Sequence, residues 1–327
     1  MPTAMTGTIR QSSRKVRQVS EASHQTKLRR RRRHRPDRQW VAYVFLAPWL
    51  LGLIGITLGP MLFSLYVSFT NYNILTPPKW IGLANFRELF QDPQFIQAVS
   101  VTLRFVLISV PLVLLVSLAL ATFLNRGLRL LGIYRTLFYL PSLMSTSAAI
   151  AILWLKVFGQ PGLLIDFLNI FGLHPSSFIA NPATALYTIV ILNLWAFGAT
   201  MVIFLAGLRQ IPVQYYEAAS IDGAGRARVF VNITLPLLTP FIFFNLLMDT
   251  VMAFQTFTSA YLIGNGIGSP AGSTLFYTVY LYIQGFTNFR MGYASAMAWL
   301  MLAALGVFAG LCFFSARYWV YYGDMEK

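Results

Sequence analysis

The sequence predicts an all-α integral membrane protein with six membrane-spanning helices. Three observations predict it. Charged residues make up only 11% of the 327, beside 57% hydrophobic and 15% aromatic, where a soluble domain carries about 25% charged residues. Six stretches reach or exceed the roughly 20 mostly apolar residues that a helix needs to cross hydrocarbon. The formal charge of +15 is concentrated: residues 1–38 hold 12 of the 25 Lys and Arg and only two acids, Glu21 and Asp37. So much apolar content excludes a chain disordered throughout and argues against a single water-soluble core. Cys312 is the only cysteine, so no intramolecular disulfide framework exists. His24, His34 and His174 lie far apart, and no Cys/His spacing suited to a metal occurs.

Residues 1–38 read as a disordered basic tail, in which Ser, Gln, Thr and Arg follow one another without a hydrophobic period. The apolar stretch after it is too long for a signal-peptide core, and no small-residue cleavage site ends it. The five consecutive arginines at 29–33 allow three readings. One is a nucleic-acid arm, which six spans disfavour, so no nucleic acid is expected as a partner. Another is a site for membrane lipid, since basic juxtamembrane residues gain about 1 kcal/mol each near anionic headgroups. The favoured one is a tail that fixes topology.

The spans follow in order. Residues 41–69 carry no charge; 101–124 have Arg104 near the start; 134–158 have Arg135 and Lys156 at the ends. Residues 184–208 carry no charge, 237–263 enclose Asp249, and 291–318 meet Arg317 near the exit. With the amino terminus inside, the inner segments hold 20 Lys and Arg against 5 outside. The positive-inside rule therefore places both termini in the cytoplasm, as an even number of spans requires.

This pattern narrows the function. Asp249 is the one charge deep in a span, and no His or Glu joins it. No catalytic set for a membrane enzyme is present, and a proton-driven pump normally needs more intramembrane ionisable groups. No GxxxxGK[ST] occurs, so the chain has no phosphate cradle of its own. Gly264-Asn265-Gly266-Ile267-Gly268 has no Lys after it and reads as a flexible outer loop. ATP-driven work must then be done by a partner.

The 209–240 loop is the most informative segment. It runs Arg209-Gln210-Ile211-Pro212-Val213-Gln214-Tyr215-Tyr216-Glu217-Ala218-Ala219-Ser220-Ile221-Asp222-Gly223-Ala224 and on to Ile233-Thr234-Leu235-Pro236. Pro212 suits the first turn of a helix, Glu217 and the two alanines continue it, and Asp222-Gly223 is a turn signal. Pro236 and Pro240 punctuate the entry to the fifth span. A short helix therefore leaves the membrane, turns sharply and returns. A DNA-binding helix–turn–helix is the competing reading, but the loop is poor in Lys and Arg and is tethered to membrane at both ends.

The pattern EAA, three residues, G, nine residues, I-x-L-P resembles the signature of permease subunits of binding-protein-dependent ABC importers. Glu217, Ala218, Ala219, Gly223, Ile233, Leu235 and Pro236 fill its fixed positions. Gly82-Leu83-Ala84-Asn85-Phe86 with Asp92-Pro93 is similar to the first outer loop of the sugar-importing branch. Tyr134-Arg135-Thr136-Leu137-Phe138-Tyr139-Leu140-Pro141 resembles its third-span entry, and 264–274 its glycine-rich outer loop.

The resemblance implies a type I ABC importer permease fold over 39–327, with the importer core at about 97–320, the coupling loop at 209–240 and the tail 1–38 outside it. It implies that Glu217, Ala218, Ala219, Asp222, Gly223, Ile233, Leu235 and Pro236 couple the chain to an ATPase. The implied partners are two cytoplasmic ATPase subunits, an extracytoplasmic solute-binding protein and a second, different, MalG-like permease. This chain is similar to the first permeases of such pairs, MalF-like or UgpA-like. It would hold no cofactor and no catalytic or metal site, the ATP and Mg being bound by the ATPases. The implied location is the cytoplasmic (inner) membrane of a bacterium or archaeon, and the implied cargo a sugar or related polyol. The alternatives are the same architecture for phosphate, a polyamine or a peptide, or a secondary transporter or channel.

The substrate path is read from the spans. Asn245, Asp249, Met252, Thr256 and Ser259 recur at helical spacing on one face of the fifth. They either line a polar cavity for hydroxyls or bond to neighbouring helices. Asn193 and Thr200 allow the same two readings, and Trp195 either stacks on a sugar ring or packs. Ala294, Ala298, Gly306 and Gly310 are read as a surface for close helix packing, with Cys312 a small packing residue beside them.

Overall fold

The computed structural model describes residues 39–126 and 130–321. The basic tail and its arginine run lie outside the described residues. The chain divides into two compact units, 1–62 and 63–327. In the first, α1 (Gln39–Gly52) passes into a wide helical turn, Leu53–Leu58, where the Gly59 N–H donates to the Ile54 carbonyl. Its side chains are mostly exposed, as suits a helix whose solvent is lipid.

The second unit is entered through α2 (Gly59–Ser68). It continues with α3 (Ala84–Leu89), α4 (Pro93–Leu124), α5 (Leu131–Met144), α6 (Ala148–Phe158) and α7 (Leu163–Ile170). After these come α8 (Ala185–Trp195), α9 (Gly198–Gln210), α10 (Val213–Ile221), α11 (Arg226–Val229) and α12 (Leu235–Leu237). The last are α13 (Thr239–Phe254), α14 (Thr258–Ile263), α15 (Tyr277–Tyr282) and α16 (Met291–Trp319). Among the described residues no strand forms beyond one antiparallel bridge, Thr70 to Trp80.

Five helical stretches are long and apolar enough to cross a membrane: Tyr43–Ser68, Pro93–Leu124, Ala148–Ile170, Thr239–Ile263 and Met291–Trp319. The bent pair Ala185–Trp195 and Gly198–Gln210 makes a sixth. The class and the number agree with the sequence reading, but three spans differ from the unbroken helices expected. The third, read as 134–158, is split between α5 and α6 by residues 145–147, and the apolar stretch is Ala148–Ile170. Hydroxyls explain the split. Ser142 Oγ donates to the Tyr139 carbonyl at 2.6 Å, and Ser147 Oγ accepts from the Ala149 N–H, capping α6. The fourth span bends by 43° between α8 and α9. There the Phe197 carbonyl accepts from Ser117 Oγ, 3.1 Å away on α4. The fifth breaks at residues 255–257, between α13 and α14.

α4 is the central helix of this unit. It starts where Asp92 accepts the Gln94 N–H at 2.9 Å and Pro93 occupies the first turn. Its first half joins a core with Ile189 of α8, Phe276 and Tyr280 at α15, and Met297 of α16. Phe105 and Phe276 meet edge to face, ring centres 4.9 Å apart. Its second half, through Ala121 and Leu124, packs on Met201, Phe204, Leu205 and Leu208 of α9. Gly198 lets α5 approach the start of α9: a Cβ there would sit 2.1 Å from the Phe138 carbonyl oxygen.

One further expectation is corrected, and another is met only in part within this chain. The 264–268 segment is packed rather than a flexible loop. A Cβ on Gly264 would lie 2.4 Å from Thr274 Oγ1, and the Thr274 hydroxyl itself donates to the Ser269 carbonyl at 2.7 Å. In α16, Ala294 is buried, but a Cβ on Gly306 or Gly310 would meet nothing within 4 Å. Those two glycines serve no close packing within the described chain.

Candidate functional site

Two of the three span breaks, 145–147 and 255–257, meet at one cavity, and the last turn of α8, before the third, reaches it. Its volume is about 280 Å³, and its wall includes Ser145 of the α5–α6 break, Asn193 just before the α8–α9 bend, and Gln255 and Thr256 of the α13–α14 break. Ser259 of α14 and Phe105 of α4 complete the lining that matters chemically. Breaks of this kind free backbone groups at membrane depth. Hydrocarbon tolerates them only where protein or a water-filled cavity satisfies the freed groups. Here the Thr256 carbonyl accepts from Thr278 Oγ1 at 2.5 Å, and Asn193 Nδ2 donates to Ser109 Oγ at 2.5 Å. The amide oxygen of Asn193 is left to other donors, beside the hydroxyls of Ser145, Thr256 and Ser259 and an aromatic face. Hydroxyl, amide and aromatic groups together suit a polyhydroxylated solute.

The sequence-read path residues divide between this cavity and its supports. Asn193, Met252, Thr256 and Ser259 line it. Trp195 does not; its ring lies 6.0 Å from that of Trp154 in an aromatic pair. Thr200 is buried and donates to both carboxylate oxygens of Asp249 at 3.1 Å. Asp249 thus ties the fifth span to the first turn of α9 instead of facing the cavity. Asn245 is buried at 1% exposure, and its Nδ2 has no partner among the described residues. The helical period that placed all five residues on one face fails because α13 ends at Phe254. Ser109, Ser145 and Gln255 were missed: Ser109 is a lone polar residue in an apolar stretch and gives no periodic signal, whereas Ser145-Thr146-Ser147 and Gln255-Thr256 were visible as polar clusters, the first able to break a helix.

At the other end of α9 lies the 209–240 loop. α9 has 13 residues, so about 20 Å separates its two ends. Ile211 is buried in the second core and anchors the start of the loop. Pro212 sits one residue before α10 rather than inside its first turn, with ψ 134°. Glu217 and Ala218 are exposed and Ala219 is buried. The helix ends on Asp222, exposed, and on Gly223 at φ +70°. The Gly223 N–H donates to the Ser220 carbonyl at 3.1 Å and the Ala224 N–H to the Ala219 carbonyl at 2.9 Å. This paired closure uses a left-handed residue, which glycine adopts without strain. Ile233 ends in a wide turn, Phe230–Thr234, and is half-buried, as are Leu235 and Pro236. Tyr216 and Thr234 hydroxyls lie 3.2 Å apart and link α10 to the returning segment.

A third cluster joins the segment before α4 to the last span. Asp92 accepts hydrogen bonds from the Tyr280 and Tyr293 hydroxyls, the latter at 2.6 Å. Burial pushes the Asp92 carboxyl up, but those two hydroxyls and the Gln94 and Phe95 N–H groups outweigh it and hold it below the ordinary carboxylate value. Beside it Arg290 forks onto Glu88 at 2.6 and 2.7 Å and covers the Tyr293 ring.

Interrupted helical spans around a polar cavity are the build of a solute-translocating membrane protein. The particular family follows from comparison with known proteins. The chain belongs to the family of binding-protein-dependent transport system inner membrane components, whose pattern matches residues 94–321. It is 47% identical over 287 residues to the probable ABC transporter permease protein YesP of Bacillus subtilis, covering 87% of this chain and 93% of the relative. It is 32% identical over 281 residues to the lactose transport system permease protein LacF of Rhizobium radiobacter, covering 84% and 93%. Its fold matches a chain in the crystal structure of a bacterial alginate ABC transporter in complex with alginate pentasaccharide-bound periplasmic protein. That match has TM-score 0.74 and 24% identity, over 86% of this chain and 95% of the other.

Proposed function

We propose that the chain is one permease subunit of an ATP-driven importer for sugars or related polyols. The observation that carries this reading is the meeting of two span breaks and the end of α8 at one cavity whose wall carries hydroxyl and amide groups. The lactose relative supports the sugar class. In this reading a second permease supplies the other half of the path, a solute-binding protein delivers cargo from outside, and two ATPase subunits bind ATP and Mg on the cytoplasmic side. The chain itself hydrolyses nothing. Both termini are cytoplasmic, which puts the 209–240 loop where the ATPases are.

Glu217, Ala218, Ala219, Asp222 and Gly223 form the joint with the ATPase in this proposal, while Ile233, Leu235 and Pro236 hold the return of the loop. ATPase closure pushes on α10. Ile211 and the Tyr216–Thr234 contact transmit the push to α9 and to the base of α13. α9 follows α8, which brings Asn193 to the cavity wall, and α13 ends at the 255–257 break, so the same push changes access to the cavity. Asn193, Thr256 and Ser259 contact the cargo; Asn245 and Asp249, with Thr200, hold the helices that present them, and Trp195 supports through packing.

The test is ATPase stimulation in the reconstituted complex. Binding protein loaded with a cognate sugar should raise hydrolysis several-fold over unloaded protein. Solute flux through this chain alone in liposomes, indifferent to ATP, would overturn the reading.

A further inference from the structure

We propose that the chain carries a second ligand site, for a phosphate-bearing anion, behind the coupling helix. A cavity of about 790 Å³ opens between the end of α4, the inner side of α10 and the start of α11. Asn125 and Arg126 line it just past the end of α4, Tyr216 and Ser220 from α10, and Arg226 from α11. No acid is among its lining residues. The loop does carry acids, Glu217 and Asp222, but both lie outside that lining. Among the described residues the one ion pair is Arg290 with Glu88, so neither Arg126 nor Arg226 is paired with a carboxylate.

Two arginines without a carboxylate partner among the described residues, with hydroxyl and amide groups in the same lining, suit a tetrahedral oxyanion. Guanidinium presents a planar fork that fits phosphate in a two-toothed fashion. The positive-inside rule explains basic residues at this level of the chain. It does not explain why two of them, 100 positions apart (Arg126 to Arg226), line one cavity that has no acid in its lining. Free phosphate would leave most of the volume to water. An apolar wall of Leu208, Val229 and Phe230 suits the glycerol and first methylenes of a phospholipid. The headgroup of an anionic glycerophospholipid is therefore the favoured source, and a free phosphate compound the other.

Once bound, such a headgroup ties the end of α4 to the turn at Gly223. It holds α10 from behind while the ATPase bears on its exposed side. This effect on coupling rests on the proposed transport function; the site itself does not.

The experiment uses the intact transporter complex in detergent, exchanged with phosphatidylglycerol or phosphatidylcholine and read by native mass spectrometry. The wild type should retain phosphatidylglycerol in preference to phosphatidylcholine. Arg126→Gln with Arg226→Gln should lower that preference by at least about tenfold, while Arg228→Gln, outside the lining, leaves it intact. Displacement of the lipid by millimolar inorganic phosphate assigns the source to free phosphate and upholds the site. Equal retention by the wild type and the double variant, or equal loss in Arg228→Gln, overturns the site. Because the readout is binding, failure of the transport reading would show separately, as absence of stimulated ATPase activity.

Discussion

Two glycines illustrate how differently one residue type acts. Gly223 sits at φ +70° with open space around its missing Cβ. Substitution there strains only the backbone, by about 1–2 kcal/mol for an ordinary residue. Asn enters the left-handed region more readily than a β-branched residue, so Gly223→Asn should lower the thermal midpoint less than Gly223→Val. Equal losses would mean that crowding, not φ, sets the requirement. Gly198 has an ordinary helical role but no room, with the Phe138 carbonyl oxygen 2.1 Å and the Tyr139 Cα 2.7 Å from a built Cβ. Gly198→Ala must push α5 off α9, at about 1–3 kcal/mol or more. A midpoint no lower than that of Gly223→Ala would refute this. Gly223 was legible in the sequence because a turn beside Asp222 is a local event. Gly198 was not, because the partner backbone lies some 60 positions earlier (Phe138 to Gly198) and no local pattern records it.

At the scale of elements, the start of α4 gathers a cap, two tyrosines and a charge on Asp92. Asp92→Ala removes the cap, worth about 0.5–2 kcal/mol, and takes the acceptor from the Tyr293 hydroxyl, at about 1–3 kcal/mol for a buried group. The pH dependence has a definite sign. The folded carboxyl titrates below its ordinary value, so its contribution is complete above the unfolded pKa of about 3.9 and is lost as pH falls further. Unfolding scans from pH 6 to pH 3 should show an acid-side loss in the wild type that is smaller in Asp92→Asn. Parallel curves would remove Asp92 from that role. Asp92-Pro93 was visible as a motif, but Tyr280 and Tyr293 come from distant elements and were not. The same limit explains the spans. Apolar length fixed six crossings, because hydrocarbon thickness acts on every segment alike. Breaks at 145–147, 196–197 and 255–257 depend on hydroxyls and carbonyls contributed in part by other helices, such as Ser117 to Phe197 and Thr278 to Thr256. Periodicity therefore carried the polar stripe past Phe254, where the helix ends.

Across the whole molecule, the proposed function requires that two ends of one scaffold be separable by mutation. The cavity is small, about 280 Å³, and Thr256→Trp would fill much of it without touching α10. In the reconstituted complex this variant should still assemble and hydrolyse ATP, while uptake falls about tenfold or more, on the order of 1.4 kcal/mol in the barrier. Glu217→Lys acts at the other end. Its side chain is exposed, so the protein should fold with an unchanged thermal midpoint, whereas reversing a charge at a docked joint costs binding and timing together. Here both uptake and stimulated hydrolysis should be lost. The two variants thus give different patterns, one blocked with the motor running and one uncoupled from it. Were Thr256→Trp to silence ATP hydrolysis, or Glu217→Lys to leave transport normal, the division of labour along α9 would be wrong. The distance argues for that division: a 13-residue helix, with Asn193 of the cavity wall just before one end and an exposed helix after the other, transmits displacement without sharing residues between the two tasks.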